Sequence, residues 1–394
     1  MDHREIGRQL DLFAFSDLSP GSPIWLPHGN TVYTILQEKI RRLNAEFGYV
    51  EVRTPILWKP ELYRISGHLD HYADNMFTAK GGEDDFYLKP MNCPGHMEIF
   101  RSKHWSVNDL PYRMADHGNL HRNESSGAVG GLTRCKAFCQ DDAHLFVAPE
   151  QIGAEIASIV KMVQRVYAKL GMGLIAALST RPAKFMGDAQ TWDVAEQDLR
   201  NALDEVGQDF IENPGDGAFY GPKIDFTVMD SMGRSWQTAT VQLDFQLPQR
   251  FELKYTDHAN VIKTPVVIHR AIYGSFERFI GILLEHWNGD LPVWVAPVQA
   301  VVMPITDKLN NHAEAFHDML GKRLGLRAEL DKSNNRLPHK IALAQTRRVP
   351  YMCVVGNKEV ANNTVALRDR SGTTTTYSNE DFFVLAGKWN EFDF

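Results

Sequence analysis

Between Thr31 and Phe47 the apolar residues Val32, Ile35, Leu36, Ile40, Leu43 and Phe47 recur every three or four positions, with charged residues between them. That period lays them along one stripe of an amphipathic helix, and Gly48 marks its end. "YVEVRTPIL" reads as the strand that follows, stopping near Pro55, whose ring removes a backbone donor. A charged, irregular stretch runs to Asp85 and leads into "FYLKPMNCPGH", where prolines confine regular structure to short pieces.

From Arg134 to Phe146 the period changes to two. Even positions read Arg134, Lys136, Phe138, Gln140, Asp142 and His144; odd positions read Cys135, Ala137, Cys139, Asp141, Ala143 and Leu145. Taken as one strand, the stretch sets a polar and aromatic face against a mostly small, apolar one. A solvated sheet face would account for the charges, and so would the wall of a pocket. "SWQTATVQLDFQLP" predicts another polar strand, with Thr238, Thr240, Gln242 and Asp244 on one face. "PVVIHRAIYGSFERFIGILLE" predicts a strand running into a helix, with Ser275 near the helix start.

A new unit begins around "LPVWVAPVQAVVMPIT", with its boundary near residue 292. Strand "VQAVVMPI", helix 307–323, strand "LRAELD", helix 338–347 and strand "YMCVVG" alternate as in a small α/β domain around a mostly parallel sheet. "SGTTTTYSN" reads as a polar turn or hairpin.

At 394 residues, 43% hydrophobic and 23% charged, the chain has the composition of a soluble globular protein with room for two or three domains. The four cysteines, at positions 93, 135, 139 and 353, form no CxxC pair, and no signal peptide or long apolar run is visible. This argues against a disulfide framework, secretion and membrane spanning, and for a reducing cytoplasm. The formal charge is −7, but 13 Lys and Arg stand against 11 Asp and Glu from Leu291 onward, which permits a polyanion near the C-terminal third.

Three signatures occur in order: "FGYVEVRTP" ending at Pro55, "HRNE" at 121–124 and "GSFERF" at 274–279. Beside them lie "NCPGH", "QDDAH", "FYGPKIDF" and "VIHRAI". On these motifs the chain resembles the class II aminoacyl-tRNA synthetases over nearly its whole length, and the threonyl family rather than its seryl or prolyl relatives. The resemblance implies an α+β catalytic domain built on an antiparallel sheet over residues 1–291, then a small α/β anticodon-binding domain over 292–394. It implies a ligase that activates L-threonine with ATP to threonyl-adenylate and transfers it to the 3'-terminal ribose of tRNA(Thr). A homodimer through the segment around Pro55 is also expected.

The resemblance further assigns one Zn²⁺ per chain to Cys93, His144 and His269. Their separations of 51 and 125 residues match no finger or knuckle spacing. Read alone, Cys93 is a small buried residue and each His a structural one. Three protein ligands would leave zinc an open position, where threonine's amino group and hydroxyl can bind and valine cannot match them. Serine keeps the hydroxyl and is expected to leak through. By the same resemblance Asp142 holds the threonine hydroxyl, with Met91, Gln140, Tyr220 and Gln242 completing the wall.

For ATP, accompanied by Mg²⁺, the resemblance implies Arg122 on the α-phosphate, Glu124 on the adenine amino group, and Phe138 stacked on the base with Arg278 on its other side. Arg134 and Arg278 would neutralise the outer phosphates, with Lys223 a partner of phosphate or carboxylate and Gln237 and Thr240 near the ribose. Gln237 has the wrong parity for its strand face, so a bulge or bend is expected beside it. His68 matches a proton acceptor for acyl transfer, its alternative being an ordinary solvent-facing His. Asn334, Glu359 and Arg368 match positions that read splayed anticodon bases.

Ala342 stands where arginine is frequent in the family, Ser125 and Gly130 where proline and histidine are frequent, and Cys135 and Cys139 are unusual. No editing module precedes Met1, so the chain is expected to make but not clear seryl-tRNA, with a separate editing protein as a candidate partner. The competing readings are a synthetase-like paralogue that only binds RNA and an enzyme that acylates a different acceptor.

Overall fold

The structure, a computed structural model, describes residues 1–218 and 220–394. It divides into two compact units, one comprising 16–23, 37–282 and Phe394, the other 1–15, 24–36 and 283–393. By compactness the division falls at 282/283, with two N-terminal segments assigned to the later unit.

The larger unit carries, among the described residues, an eight-stranded sheet. Its strands in chain order are β1 (Val50–Glu51), β2 (Tyr112–Asp116), β3 (Asp142–Val147), β4 (Gly173–Ser179), β5 (Phe210–Asn213), β6 (Lys223–Met229), β7 (Ser235–Asp244) and β8 (Val266–Ala271). They lie in the order β5-β4-β6-β7-β8-β3-β2-β1. Every pairing from β4 to β2 is antiparallel; only the β4–β5 and β2–β1 pairings are parallel. The antiparallel sheet is thus the one expected.

The helix predicted from residue 31 is α1 (Pro27–Glu46). α2 (Cys93–Arg101) starts at the NCPGH motif. α3 (Ile152–Lys169) buries Ile156, Ile159, Val160, Val163, Val166 and Tyr167, a stripe at helical spacing that packs on β7 and β8. α4 (Phe276–His286) follows Ser275, whose Oγ accepts from Arg278 N at 3.2 Å, as the sequence predicted.

Two strand expectations change. "YVEVRTPIL" contributes only β1 and, at its last residue, the start of a separate strand Leu57–Trp58; between them Asp116 Oδ2 takes the Thr54 N–H at 3.2 Å and diverts it from the ladder. The stretch from Arg134 to Phe146 is two strands, Ala137–Cys139 and β3, in different sheets. The break falls where Asp141 turns inward to accept from the backbone N–H groups of Ile272, Tyr273 and Gly274 at 2.8, 3.1 and 3.0 Å. Burial pushes the Asp141 carboxyl up to about 7, against the opposing pull of Arg270. Arg270 stands 3.7 Å from Asp141 Oδ2 and lies over the Tyr49 ring at 4.3 Å. This buried pair fixes the turn from β8 into α4.

In the smaller unit the sheet comprises β9 (Ala300–Pro304), β10 (Ala328–Leu330), β11 (Tyr351–Val355), β12 (Thr364–Asp369) and β13 (Thr374–Ser378), in the order β10-β9-β11-β12-β13. α5 (Asn310–Leu324) and α6 (Leu337–Thr346) are the predicted helices. The sheet is mixed rather than mostly parallel: β12 and β13 run antiparallel because a tight hairpin with Gly372 at φ +92° joins them. Val302, Phe316, Leu320, Cys353, Leu367 and Phe382 lie in its core. No helix among the described residues is long and apolar enough to cross a membrane.

Candidate functional site

β3 and β8 are paired so that His144 faces His269 directly across the ladder. Their Nε2 and Nδ1 atoms are 2.8 Å apart. Cys93, the first residue of α2, completes a group in which one donor atom from each side chain lies within 4.8 Å of the others. Each imidazole is also held from behind. His269 Nε2 contacts Asp244 Oδ2 at 2.8 Å, and His144 Nδ1 contacts His96 Nδ1 at 2.8 Å. A carboxylate behind His269 keeps the proton on Nε2 and turns the Nδ1 lone pair inward, the usual backing of a metal-bound histidine. Two ring nitrogens facing each other beside a thiol suit a cation between them. Burial pushes the Cys93 thiol well above its ordinary range, with Asp142 and Asp244 adding to it, and a metal would reverse that by stabilising the thiolate. The donor set and its backing fit zinc.

One cavity adjoins this group directly, and a second opens on the neighbouring strand at Gln242, the cross-strand partner of His269. The larger, about 540 Å³, is lined by all seven expected ATP-site residues, Arg122, Glu124, Arg134, Phe138, Gln237, Thr240 and Arg278, together with Gln140, Lys223 and Gln242. The smaller, about 140 Å³, is lined by Cys93, His269, His68, Met91 and Tyr220. Tyr220, which lines the smaller, donates through its hydroxyl to Oε1 of Gln242, which lines the larger, at 3.2 Å. Asp142 lines neither; its carboxylate accepts from Asn92 Nδ2 at 3.1 Å.

Arg122, Arg134, Arg278 and Lys223 outnumber the carboxylates of Glu124 and Asp225 around the larger cavity, which makes it a place for an anion. Arg134 Nε donates to Glu124 Oε2 at 3.1 Å. Arg278 Nε is buried with no hydrogen-bond partner among the described residues. Its basicity is lowered by burial and by the like charge of Arg134. Arg122 Nε donates to Pro90 O at 3.2 Å, and its guanidinium lies 5.0 Å from the Phe138 ring centre.

The irregularity expected beside Gln237 is present. The β6–β7 register shifts between the Asp225↔Thr240 and Thr227↔Gln237 pairs, so β7 carries an extra residue. Both Gln237 Nε2 and Thr240 Oγ1 then reach Asp225 Oδ1, and Lys223 Nζ lies 2.7 Å from Asp225 Oδ2.

Sequence reasoning gave no role to Asp225, His96 or Asn92, and named Asp244 only as one member of a polar strand face. Asp244 could have been suspected, since it shares a strand face with Gln242. The others carry no periodic signal.

His68 is not solvent-facing. It is buried, with Nδ1 at 2.8 Å from Ser66 Oγ and Nε2 at 3.4 Å from Met91 Sδ. Burial, with Arg122 nearby, pushes it down to about 4, leaving it a neutral imidazole at pH 7.

In the smaller unit, Asn334 is exposed before α6, and Glu359 borders a cavity of about 190 Å³. Arg368 Nη1 donates to Gly372 O at 2.6 Å, bracing the β12–β13 hairpin. Among the described residues no hydrogen bond or ion pair joins these three to one another.

Residues 76–287 match the family described as "tRNA synthetase class II core domain (G, H, P, S and T)", and residues 299–383 match the "Anticodon binding domain" family. The chain is 48% identical over 373 residues to a threonine--tRNA ligase of Bdellovibrio bacteriovorus, covering 94% of this chain and 57% of that relative. It is 45% identical over 382 residues to the one from Acetivibrio thermocellus, covering 97% and 60%. The crystal structure titled as the RNA binding domain of threonyl-tRNA synthetase from Cryptosporidium parvum superposes with a TM-score of 0.95 at 41% identity, over 99% of this chain and 98% of that one. The chain thus spans about 60% of the length of the curated relatives it matches.

Proposed function

Because this chain belongs to the threonyl-tRNA synthetase family of class II aminoacyl-tRNA synthetases, we propose that it activates L-threonine with ATP and transfers the threonyl group to the 3'-terminal ribose of tRNA(Thr). The observation that carries this reading is the convergence of Cys93, His144 and His269 beside a cavity lined by every residue expected to hold ATP.

In the first step an oxygen of the threonine carboxylate attacks the α-phosphorus, and the bond to the β-phosphate oxygen breaks, releasing pyrophosphate. Arg122 neutralises the charge that builds on the α-phosphate, while Arg134, Arg278 and Lys223 meet the outer phosphates and carboxylate. Arg278 is suited to this because its buried Nε has no competing partner. Glu124 exchanges Arg134 for the adenine amino group, and Gln237 and Thr240, fixed by Asp225, hold the ribose. Mg²⁺ accompanies the triphosphate.

Zinc held by Cys93, His144 and His269 would supply Lewis-acid sites for the amino group and hydroxyl of threonine. Met91 and Tyr220 close the amino-acid cavity, Gln140 and Gln242 complete its wall from the side of the larger cavity, and Asp142 reaches the hydroxyl by releasing Asn92. In the second step a ribose hydroxyl attacks the threonyl carbonyl and AMP leaves; His68, neutral at pH 7, accepts the hydroxyl proton. Asn334, Glu359 and Arg368 read the anticodon, Arg368 after leaving its hairpin contact.

Val50, in the edge strand of the eight-stranded sheet, and Ile56 and Leu57, just past Pro55, are exposed, which supports a dimer through that segment; the enzyme is taken to be cytoplasmic.

The test is ATP–pyrophosphate exchange with and without a chelator. Exchange should depend on threonine, be lost on chelation and be negligible with valine. Exchange that ignores threonine, or survives complete removal of the metal, defeats the reading.

A further inference from the structure

Behind His144 lies a polar cluster that a sheet of this kind does not need for stability. Lys89, Asn92, His96 and Asp116 are all at most 1% exposed. Lys89 Nζ donates to Thr54 Oγ1 at 2.7 Å and faces Asp116 Oδ2 at 3.5 Å. Thr54 donates to the same Asp116 oxygen through its hydroxyl at 2.8 Å and its N–H at 3.2 Å. His96 Nε2 stands 3.7 Å from that oxygen, while His96 Nδ1 is 2.8 Å from His144 Nδ1. An ion pair this deep rarely repays its desolvation by stability alone.

A tautomer argument gives the cluster a use. The Asp116 carboxylate, kept charged by Lys89, favours a proton on the His96 nitrogen that faces it. His96 Nδ1 is then an acceptor, His144 Nδ1 must donate to it, and the His144 Nε2 lone pair is left pointing at Cys93 and His269. Asp244 does the same for His269 from the opposite side. α2 supplies both layers, since Cys93 and His96 are three residues apart and share a helix face.

We propose that His96, Asp116 and Lys89 are positioning residues that set the tautomer of His144 and so tune metal affinity. The inference rests on the metal reading above and adds a relay to it.

The test uses the full chain loaded with cobalt(II), read by its visible spectrum and by competition with a chromophoric chelator. His96→Leu, which leaves His144 Nδ1–H without an acceptor, should weaken cobalt binding by roughly 10–100-fold. His96→Gln, whose amide oxygen can accept that proton, should stay within a few-fold of the parent. Parent-like affinity in His96→Leu overturns the relay, as does equal loss in the two variants. If circular dichroism shows His96→Leu unfolded, Asp116→Asn decides: loss of affinity with the fold retained supports the relay, and unchanged affinity overturns it. A parent chain that gives no thiolate-to-cobalt band fails the metal reading itself, an outcome distinct from a band that persists in His96→Leu.

Discussion

Gln237 and Thr240 donate to the same oxygen, Asp225 Oδ1, at 2.8 and 2.9 Å, although they stand three apart on one strand. In a regular strand such a pair would point to opposite faces. The extra residue in β7 makes the convergence possible, and the carboxylate makes it necessary.

Replacing Asp225 with Ala would strand Gln237, Thr240 and Lys223 together. Losing hydrogen bonds to a charged group costs about 1.5–3 kcal/mol, or roughly 10–150-fold. The expected outcome is a rise of that order in the KM for ATP in pyrophosphate exchange, with threonine KM little changed. An unaltered KM for ATP would show that the bulge is purely structural.

Arg278→Ala removes a guanidinium whose buried Nε has no other duty. Removal of one donor aimed at developing charge typically costs 10²–10³ in kcat. Exchange should fall by about that factor while thermal stability holds or rises, because a buried charge repelled by Arg134 has been deleted.

Cys93→Ala should lower metal content per chain, measured by elemental analysis. Discrimination between threonine and valine should then fall toward the roughly 100-fold that an apolar pocket reaches unaided. Metal retained at parental stoichiometry would contradict the assignment of Cys93.

Gly118 has no room for a side chain: a Cβ there would sit 2.5 Å from Lys89 Nζ, 2.9 Å from Asp116 Oδ1 and 3.0 Å from Asn92 Oδ1. All three neighbours are buried, so they cannot swing into solvent. Gly118→Ala should destabilise by about 1–3 kcal/mol, visible as a lowered Tm.

His117 is half-buried, its ring 5.6 Å from that of Phe276 and both ring nitrogens shielded from solvent, and this desolvation pushes it down to about 4. Its folded value lies below the unfolded one near 6.5, so its contribution to stability is complete above pH 6.5 and disappears as pH falls from 6.5 to 4. The amplitude is about 3 kcal/mol. Denaturation midpoints measured across that window should decline, and His117→Phe should flatten the decline.

Much of this could be read from the chain. Helical spacing marked α1, and the alternating segments of the smaller unit fell close to their observed bounds. The continuous strand from Arg134 to Phe146 failed because Asp141, one residue in a regular alternation, has stronger acceptor work with the backbone after β8. No local pattern announces such a long-range demand. The metal group was legible only through resemblance, since residues 125 apart in sequence become neighbours by strand pairing. Its support, Asp116 with His96, was illegible for the same reason. For His68 the sequence left a proton acceptor and a solvent-facing residue both open, because exposure is a property of the fold rather than of "SGHLDHY".

The cross-strand placement of His144 and His269 also decides where the chain can change length. The loops between β3 and β8 can grow or shrink without disturbing the two imidazoles, provided β3, β8 and the intervening β7, whose Asp244 backs His269, keep their alignment. One residue inserted within either strand would turn its imidazole to the opposite side of the sheet and dismantle the centre.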